Sequence, residues 1–234
     1  KIDYSDLIKE LKKNNGKTSL KFREEMASKA FDLTAYYDSV VSEWFNQKLG
    51  IKFPEQKTFF GKKLEKLRYG ENPHQESSIY VSSISKNDLG FKKLSGKDLS
   101  YNNYNDIFTS IEILFSEKKI PTTVITKHAN PCGVASNSSP LISFKNALAS
   151  DPVSAFGGIV ACNYKINLKI ASQMYKTFFE VIIAKGFDKN ALNILTKKKN
   201  MRIIDISEMS QNDYLSTKVL GNSFLLQDKD TAIL

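Results

Sequence analysis

In the stretch Thr122-Thr123-Val124-Ile125-Thr126-Lys127-His128-Ala129-Asn130-Pro131-Cys132-Gly133-Val134-Ala135, an apolar, β-branched run leads straight into a lysine and a histidine. The run predicts a buried strand over Thr122 to His128. Pro131 and Gly133 are expected to turn the chain, and a helix is expected near Pro140. In open α/β sheets ligands collect at the carboxyl ends of strands, where Lys127-His128 is expected to sit. Lysine supplies a fixed positive charge, and histidine is the residue type that titrates near neutrality. As a bare motif the pair is weak, because adjacent residues on a strand point to opposite faces; the strand-end position strengthens it.

Outward from this stretch, further extended segments are predicted around Ser78 to Ser82, Gly157 to Cys162, Val181 to Ala184 and Met201 to Ile206. Helices are predicted between them, over about Asn105 to Glu117, Pro140 to Ala149, Leu168 to Phe179 and Asp188 to Lys198. Strands alternating with helices of this length predict an α/β layered sheet with several parallel neighbours. The first fifty or so residues differ. A short amphipathic helix over about Tyr4 to Lys13 stops at Asn14-Asn15-Gly16, and Ser19 opens a longer one. Its apolar residues, among them Phe22, Met26, Phe31, Val41, Trp44 and Phe45, recur every three to four positions and predict one buried face. Such a helical pair has no sheet of its own and is expected to pack against something else. The chain therefore divides into a helical segment, 1–52, and an α/β unit, 53–234.

Composition narrows the function classes. No apolar run approaches the roughly eighteen residues of a membrane span. The start, KIDYSDLIKELKK, is a charged amphipathic helix and not a signal peptide, which points to a cytoplasmic protein. Both chain ends are expected to be cuts within a longer protein, since the chain opens on Lys1 and closes on QDKDTAIL. Two cysteines, Cys132 and Cys162, give no disulfide framework, and two histidines leave no Cys/His metal set. A net charge of +9 raises nucleic acid as a partner. The lysines are scattered in short clusters without interleaved aromatics, so a solvated surface that draws in small polyanions is the expectation.

Two more segments are unusual. Leu67-Arg68-Tyr69-Gly70-Glu71-Asn72-Pro73-His74-Gln75 packs a guanidinium, a phenol, a carboxylate, an amide and an imidazole into one short loop. The Arg68 fork suits a phosphate or carboxylate, although a surface turn satisfying its own backbone would look the same. In Ser150-Asp151-Pro152-Val153-Ser154-Ala155-Phe156-Gly157-Gly158-Ile159-Val160-Ala161-Cys162-Asn163, the paired glycines precede a strand. They lack the spacing of a dinucleotide or phosphate loop, so close backbone packing is the safer reading.

RYGENPHQ, KHANPCGVA and SDPVSAFGGIVACN, in this order, resemble the signature segments of the bifunctional aminoimidazole carboxamide ribotide (AICAR) formyltransferase/IMP cyclohydrolase family. GKDLSYNNYND, IIAKGFDKNALNILTKKKN and LLQDKD fit the same family, and KAFDLTAYYDSVVSEWF resembles the helical end of its cyclohydrolase domain. The resemblance spans essentially the whole chain. It implies a cytidine-deaminase-like three-layer α/β/α unit behind a helical linker segment, being the first half of the formyltransferase domain. It implies a homodimer that transfers the formyl group of 10-formyltetrahydrofolate to the 5-amino group of AICAR, with no metal in this segment and no nucleic acid or membrane as partner.

Carried over by residue, the resemblance implies Lys127 and His128 as the catalytic pair, with His128 accepting the amine proton and Lys127 stabilising the oxyanion, or the roles exchanged. It implies Arg68, Tyr69 and Gly186 as ribotide contacts, although Lys185 stands where a proline is expected. Asn72 and His74 are implied as shaping their loop. Family residues beyond Leu234 that complete both substrate sites are missing, so the fragment is expected to be incomplete for both activities. The alternatives are a basic module that binds nucleic acid, or a piece that binds nothing. A zinc deaminase is rejected, because Gly133, Val134 and Ala135 follow Cys132 where a second cysteine would be needed.

Overall fold

Capping residues open most of the helices in the computed structural model, which describes residues 2–82, 89–117, 119–209 and 215–228. Its contacts separate two units, one of Lys1–Lys63 with Tyr80–Asn87, the other of Leu64–Ile79 with Asp88–Leu234.

In the first unit, α1 (Ile2–Lys13) ends at Asn15 and Gly16, both left-handed. α2 (Leu20–Leu49) starts at Ser19, whose hydroxyl accepts from the Phe22 N–H, and ends on left-handed Gly50. Glu10 on α1 accepts from the Ser19 backbone N–H at 3.0 Å and also from its hydroxyl, so the cap of one helix is held by the other. Lys29 pairs with Asp3 at 2.8 Å and holds the Asp3 carboxyl below its usual range. The face of α2 expected to be buried is only partly so: Phe22, Met26, Val40 and Val41 are half-buried, Phe31, Trp44 and Phe45 are exposed, and no residue of α2 is fully buried. A lone pair of helices offers too little surface to cover a stripe 30 residues long.

In the second unit, β1 (Lys62–Leu67), whose first two residues belong to the first unit, pairs with β2 (Ser77–Val81) in a two-stranded sheet. The main sheet has six strands. In chain order the elements are β3 (Lys92–Ser95), α3 (Tyr101–Leu114), β4 (Thr122–Lys127), β5 (Asn130–Ser136), α4 (Pro140–Ser150), β6 (Ile159–Cys162), α5 (Leu168–Met174), β7 (Val181–Ala184), α6 (Lys189–Leu195) and β8 (Arg202–Asp205). A separate hairpin of β9 (Ser216–Leu220) and β10 (Ser223–Gln227) follows. The sheet order is β3-β8-β7-β6-β4-β5. β6, β7 and β8 are parallel, whereas β4 is antiparallel to β5 and β6, and β3 to β8.

Helices cover both faces. Ile107, Ile111 and Leu114 of α3 pack with Val124, Ile159, Val181, Ile183 and Ile204. Phe144 of α4, Ile170 and Met174 of α5 and Leu195 of α6 pack with Ile125, Val160, Ile182 and Ile203. Every residue of β6 and β7 is buried, which is why these strands are unbroken apolar runs in the sequence.

The mixed α/β class agrees with expectation, and the central strands match closely. The turn at KHANPCG does not. The chain reverses at His128-Ala129, and Asn130–Ser136 forms strand β5 where a turn was expected. Pro131 sits where the β4–β5 register shifts, on an edge strand, one of the few places a strand accepts proline. Gly133 is in β5 because α4 crosses it closely: a Cβ there would lie 2.0 Å from the Ala147 carbonyl oxygen. Strands β1 and β3, rich in lysine and largely exposed, carried no alternating pattern to reveal them. Helices α5 and α6 stop at Met174 and Leu195, short of the expected Phe179 and Lys198.

Gly133→Ala is expected to lower the unfolding free energy by about 1–3 kcal/mol, read from urea denaturation followed by circular dichroism.

Candidate active site

Because β4 runs against β6, its last residues lie beside the first residues of the parallel strands, with Thr126 opposite Ile159. Lys127 ends its own strand, as expected, but because β4 is reversed the pair lies at the amino ends of the parallel strands β6, β7 and β8. A cleft of about 1070 Å³ opens there, and Arg68, Tyr69, Lys127 and His128 all line it. These four residues come from two distant places in the chain, Arg68 and Tyr69 from the loop leaving β1, Lys127 from the end of β4 and His128 from the turn that follows it.

The two loops are built differently. Downstream of Arg68-Tyr69, Gly70 donates to the Gln75 carbonyl at 2.6 Å, and the Gln75 side chain accepts from the Asn72 N–H at 2.7 Å. The Ser77 hydroxyl donates to the Tyr69 carbonyl at 2.7 Å, and the Arg68 guanidinium stands 5.5 Å from the Tyr69 ring centroid. The β4–β5 loop is a two-residue turn between the paired residues Lys127 and Asn130. His128 and Ala129 both lie in the left-handed region, with φ of 56° and 55°, as a type I′ turn requires.

Lys127 is half-buried, and its ammonium donates to the Phe156 carbonyl at 2.9 Å. That carbonyl precedes Gly157-Gly158, and the glycines allow the approach: a Cβ on Gly158 would lie 2.9 Å from the Thr126 carbonyl oxygen. Close backbone packing is thus what Gly158 provides, whereas Gly157 supplies a left-handed φ of 74°. One donor of the ammonium is occupied and two remain.

The acidic side chains of the cleft are engaged by the protein. Glu180 accepts from Asn103 at 2.9 Å and lies 3.5 Å from Arg202. Glu65 accepts from the Tyr104 hydroxyl at 2.8 Å, and burial followed by that carboxylate raises the Tyr104 phenol well above its usual range. Asp98 pairs with Lys93 at 3.0 Å, and Asp106 accepts from the Ala129 N–H at 2.5 Å. Among the described residues Arg68 makes no ion pair, so its guanidinium is open to a ligand, although the lining also carries the negative charges of Glu65 and Asp106, whose donors are neutral.

Of the other residues singled out in the sequence, Asn72 and His74 are exposed on their loop and do not line the cleft. Gly186 follows β7 at its carboxyl end, where its carbonyl accepts from Ile166, so it stands at the opposite end of the sheet from Lys127. Asn103, Asp106, Glu180 and Arg202 line the cleft and were not singled out. Asn103 and Asp106 had a signal, the stretch Gly96 to Asp106. Glu180 and Arg202 had none: Glu180 immediately precedes β7 and Arg202 opens β8, at strand starts that the sequence did not mark as neighbours of the pair.

Neither cysteine is poised for chemistry. Burial pushes the Cys162 thiol up to about 12, and burial first, then Asp151, raises Cys132. Among the described residues no three His, Cys, Asp or Glu side chains gather as metal ligands do, and no helix is long and apolar enough to cross a membrane.

The family model described as "AICARFT/IMPCHase bienzyme" matches residues 1–234. The bifunctional purine biosynthesis protein PurH of Persephonella marina is 42% identical over 241 residues, covering 99% of this chain and 46% of that protein. Its namesake from Thermoanaerobacter sp. is 43% identical over 229 residues, covering 97% of this chain and 44% of that protein. The chain thus spans about half the length of the curated relatives it matches. Among solved structures, a dCMP deaminase from the cyanophage S-TIM5 in apo form aligns with 43% of this chain and 94% of its own, with a TM-score of 0.34 and 12% identity. That likeness is too distant to bear on the fold.

Asn103 joins the cap of α3 to the cleft, since it completes a capping box with Ser100 and also holds Glu180. Asn103→Ala is expected to cost about 1–3 kcal/mol of stability by urea unfolding, more than loss of an exposed cap alone.

Proposed function

The chain belongs to the AICARFT/IMPCHase bienzyme family, and on that premise we propose that it carries half of a formyltransferase site. Residues 53–234 are read as the first, cytidine-deaminase-like half of the formyltransferase domain, and 1–52 as the helical end of the preceding cyclohydrolase domain. The reaction is transfer of the formyl group of 10-formyltetrahydrofolate to the 5-amino group of AICAR, in a parent protein that also closes the product to IMP. That parent is read as a cytoplasmic homodimer.

The observation that supports this reading most is the meeting of Arg68, Tyr69, Lys127 and His128 in one cleft whose own carboxylates are engaged elsewhere. A ribotide carries a phosphate, and the unpaired Arg68 fork suits it. Tyr69 beside it offers a ring face and a hydroxyl.

The amine of the ribotide is a poor nucleophile because the neighbouring carboxamide withdraws electrons from the ring. As its nitrogen bonds to the formyl carbon, His128 accepts the amine proton. Lys127 stabilises the oxyanion on the former carbonyl oxygen with the donors that Phe156 leaves free. The tetrahedral centre then collapses, the bond from carbon to N10 of the folate breaks, and the imidazolium returns a proton to that nitrogen. The cosubstrate needs groups beyond this chain, so the fragment is read as a ribotide half-site without full turnover. Gly186, at the far end of the sheet, serves the ribotide only if another surface brings that end to it.

Calorimetry with AICAR at two salt concentrations tests the reading. The chain is expected to bind with modest salt dependence, and Arg68→Ala is expected to weaken binding by about tenfold or more. Unchanged binding in Arg68→Ala, or binding that collapses with salt as it does for nucleic-acid proteins, would exclude it.

A further inference from the structure

The turn that presents His128 is strained. Its two central residues are left-handed, yet neither is the glycine or asparagine that a type I′ turn favours. A left-handed backbone is costly for a residue that carries a Cβ, and such strain persists only where the surroundings over-determine it. Two side chains do so here. The Asp106 carboxylate accepts from the Ala129 N–H at 2.5 Å, and the Asn130 amide donates to the His128 carbonyl at 2.9 Å.

Asp106 is well placed to hold this turn. It lies within α3, one helix turn after Asn103, whose side chain completes the cap. The buried residues Ile107, Ile111 and Leu114 fix α3 to the sheet. The carboxylate therefore reaches the turn from a rigid element, across 23 residues of chain, and it lines the same cleft as Lys127 and His128.

We propose that Asp106 is a positioning residue, whose carboxylate holds the His128-Ala129 turn in its left-handed form and so aims the Lys127-His128 pair into the cleft. This rests on the formyltransferase reading for its purpose, and on the turn geometry alone for its structural content. The hydrogen bond needs an acceptor oxygen and not a charge. Asparagine at 106 can supply that oxygen and alanine cannot, whereas a carboxylate acting directly on a ligand would be lost in both.

The test compares Asp106→Ala, Asp106→Asn and the double variant Asp106→Ala/Ala129→Gly with the parent chain. Two histidines make the imidazole region of a ¹⁵N-labelled sample readable, and His74→Gln assigns the signal of His128. Asp106→Ala is expected to move the Ala129 amide and His128 imidazole signals and to weaken AICAR binding about tenfold, the effect of losing one hydrogen bond. Asp106→Asn is expected to restore the signals, and the affinity to within about twofold. The double variant should recover part of both, because glycine accepts the left-handed turn without strain. His128 signals unmoved in Asp106→Ala, or Asp106→Asn as damaged as Asp106→Ala, would overturn the proposal. If Asp106→Ala does not fold, a double variant that folds supports it, and one that does not overturns it. The spectra decide the matter even if the parent chain binds no AICAR, an outcome that counts against the functional reading alone.

Discussion

Thr123 pairs with Cys162 and Thr126 with Ile159 in antiparallel register, and the cleft depends on that direction. Were β4 parallel to β6, its last residues would lie beside Cys162, with Gly186, at the other end of the sheet. Reversed, β4 delivers Lys127 and His128 to the starts of β6, β7 and β8, where Gly157, Glu180 and Arg202 also lie. A second antiparallel pairing, of β4 with β5, allows the two-residue hairpin that carries His128. β5 is then an edge strand, able to accept Pro131 and to let α4 pass close over Gly133.

Around this arrangement, the polar groups are matched to one another. Glu65, Asp98, Asp106 and Glu180 each have a partner on the protein, while Arg68 makes no ion pair among the described residues. Asp98 and Glu180 face cations, and Glu65 and Asp106 are held by neutral donors, so none of the four is drawn onto the Arg68 guanidinium. Asn103 shows how closely the helix cap and the site are joined: one side chain closes α3 and holds the acid that also neighbours Arg202.

Much of this was legible in the residues. The fully buried strands Ile159–Cys162 and Val181–Ala184 announced themselves as short apolar runs, and Ser19 marked the start of the long helix. The segments holding Arg68, Tyr69, Lys127 and His128 stood out by their chemistry, and the structure brings all four together. Strand direction was not legible, because an apolar run such as Val124-Ile125 looks the same whichever way its neighbour runs. That gap concealed which strand ends neighbour the pair, and so hid Glu180 and Arg202. It also led Pro131 and Gly133 to be taken for a turn, when the turn was made by His128 and Ala129, residues with no intrinsic preference strong enough to reveal it. The exposed face of α2 is a different case: its periodicity was real, but nothing in this unit is large enough to cover it.

The pair at the tip of the hairpin has a further property, which lies in time and not in space. Lys127 is held by a carbonyl 29 residues later in the chain, and Ala129 by a carboxylate 23 residues earlier. Neither tie can form inside the hairpin. On the ribosome, β4 and β5 emerge and can zip into a hairpin within microseconds, yet the lysine remains a loose cation until Phe156 has left the exit tunnel and docked. The lysine's tie therefore forms later than the hairpin that carries it, and a chain halted between the two exposes Lys127 without its acceptor.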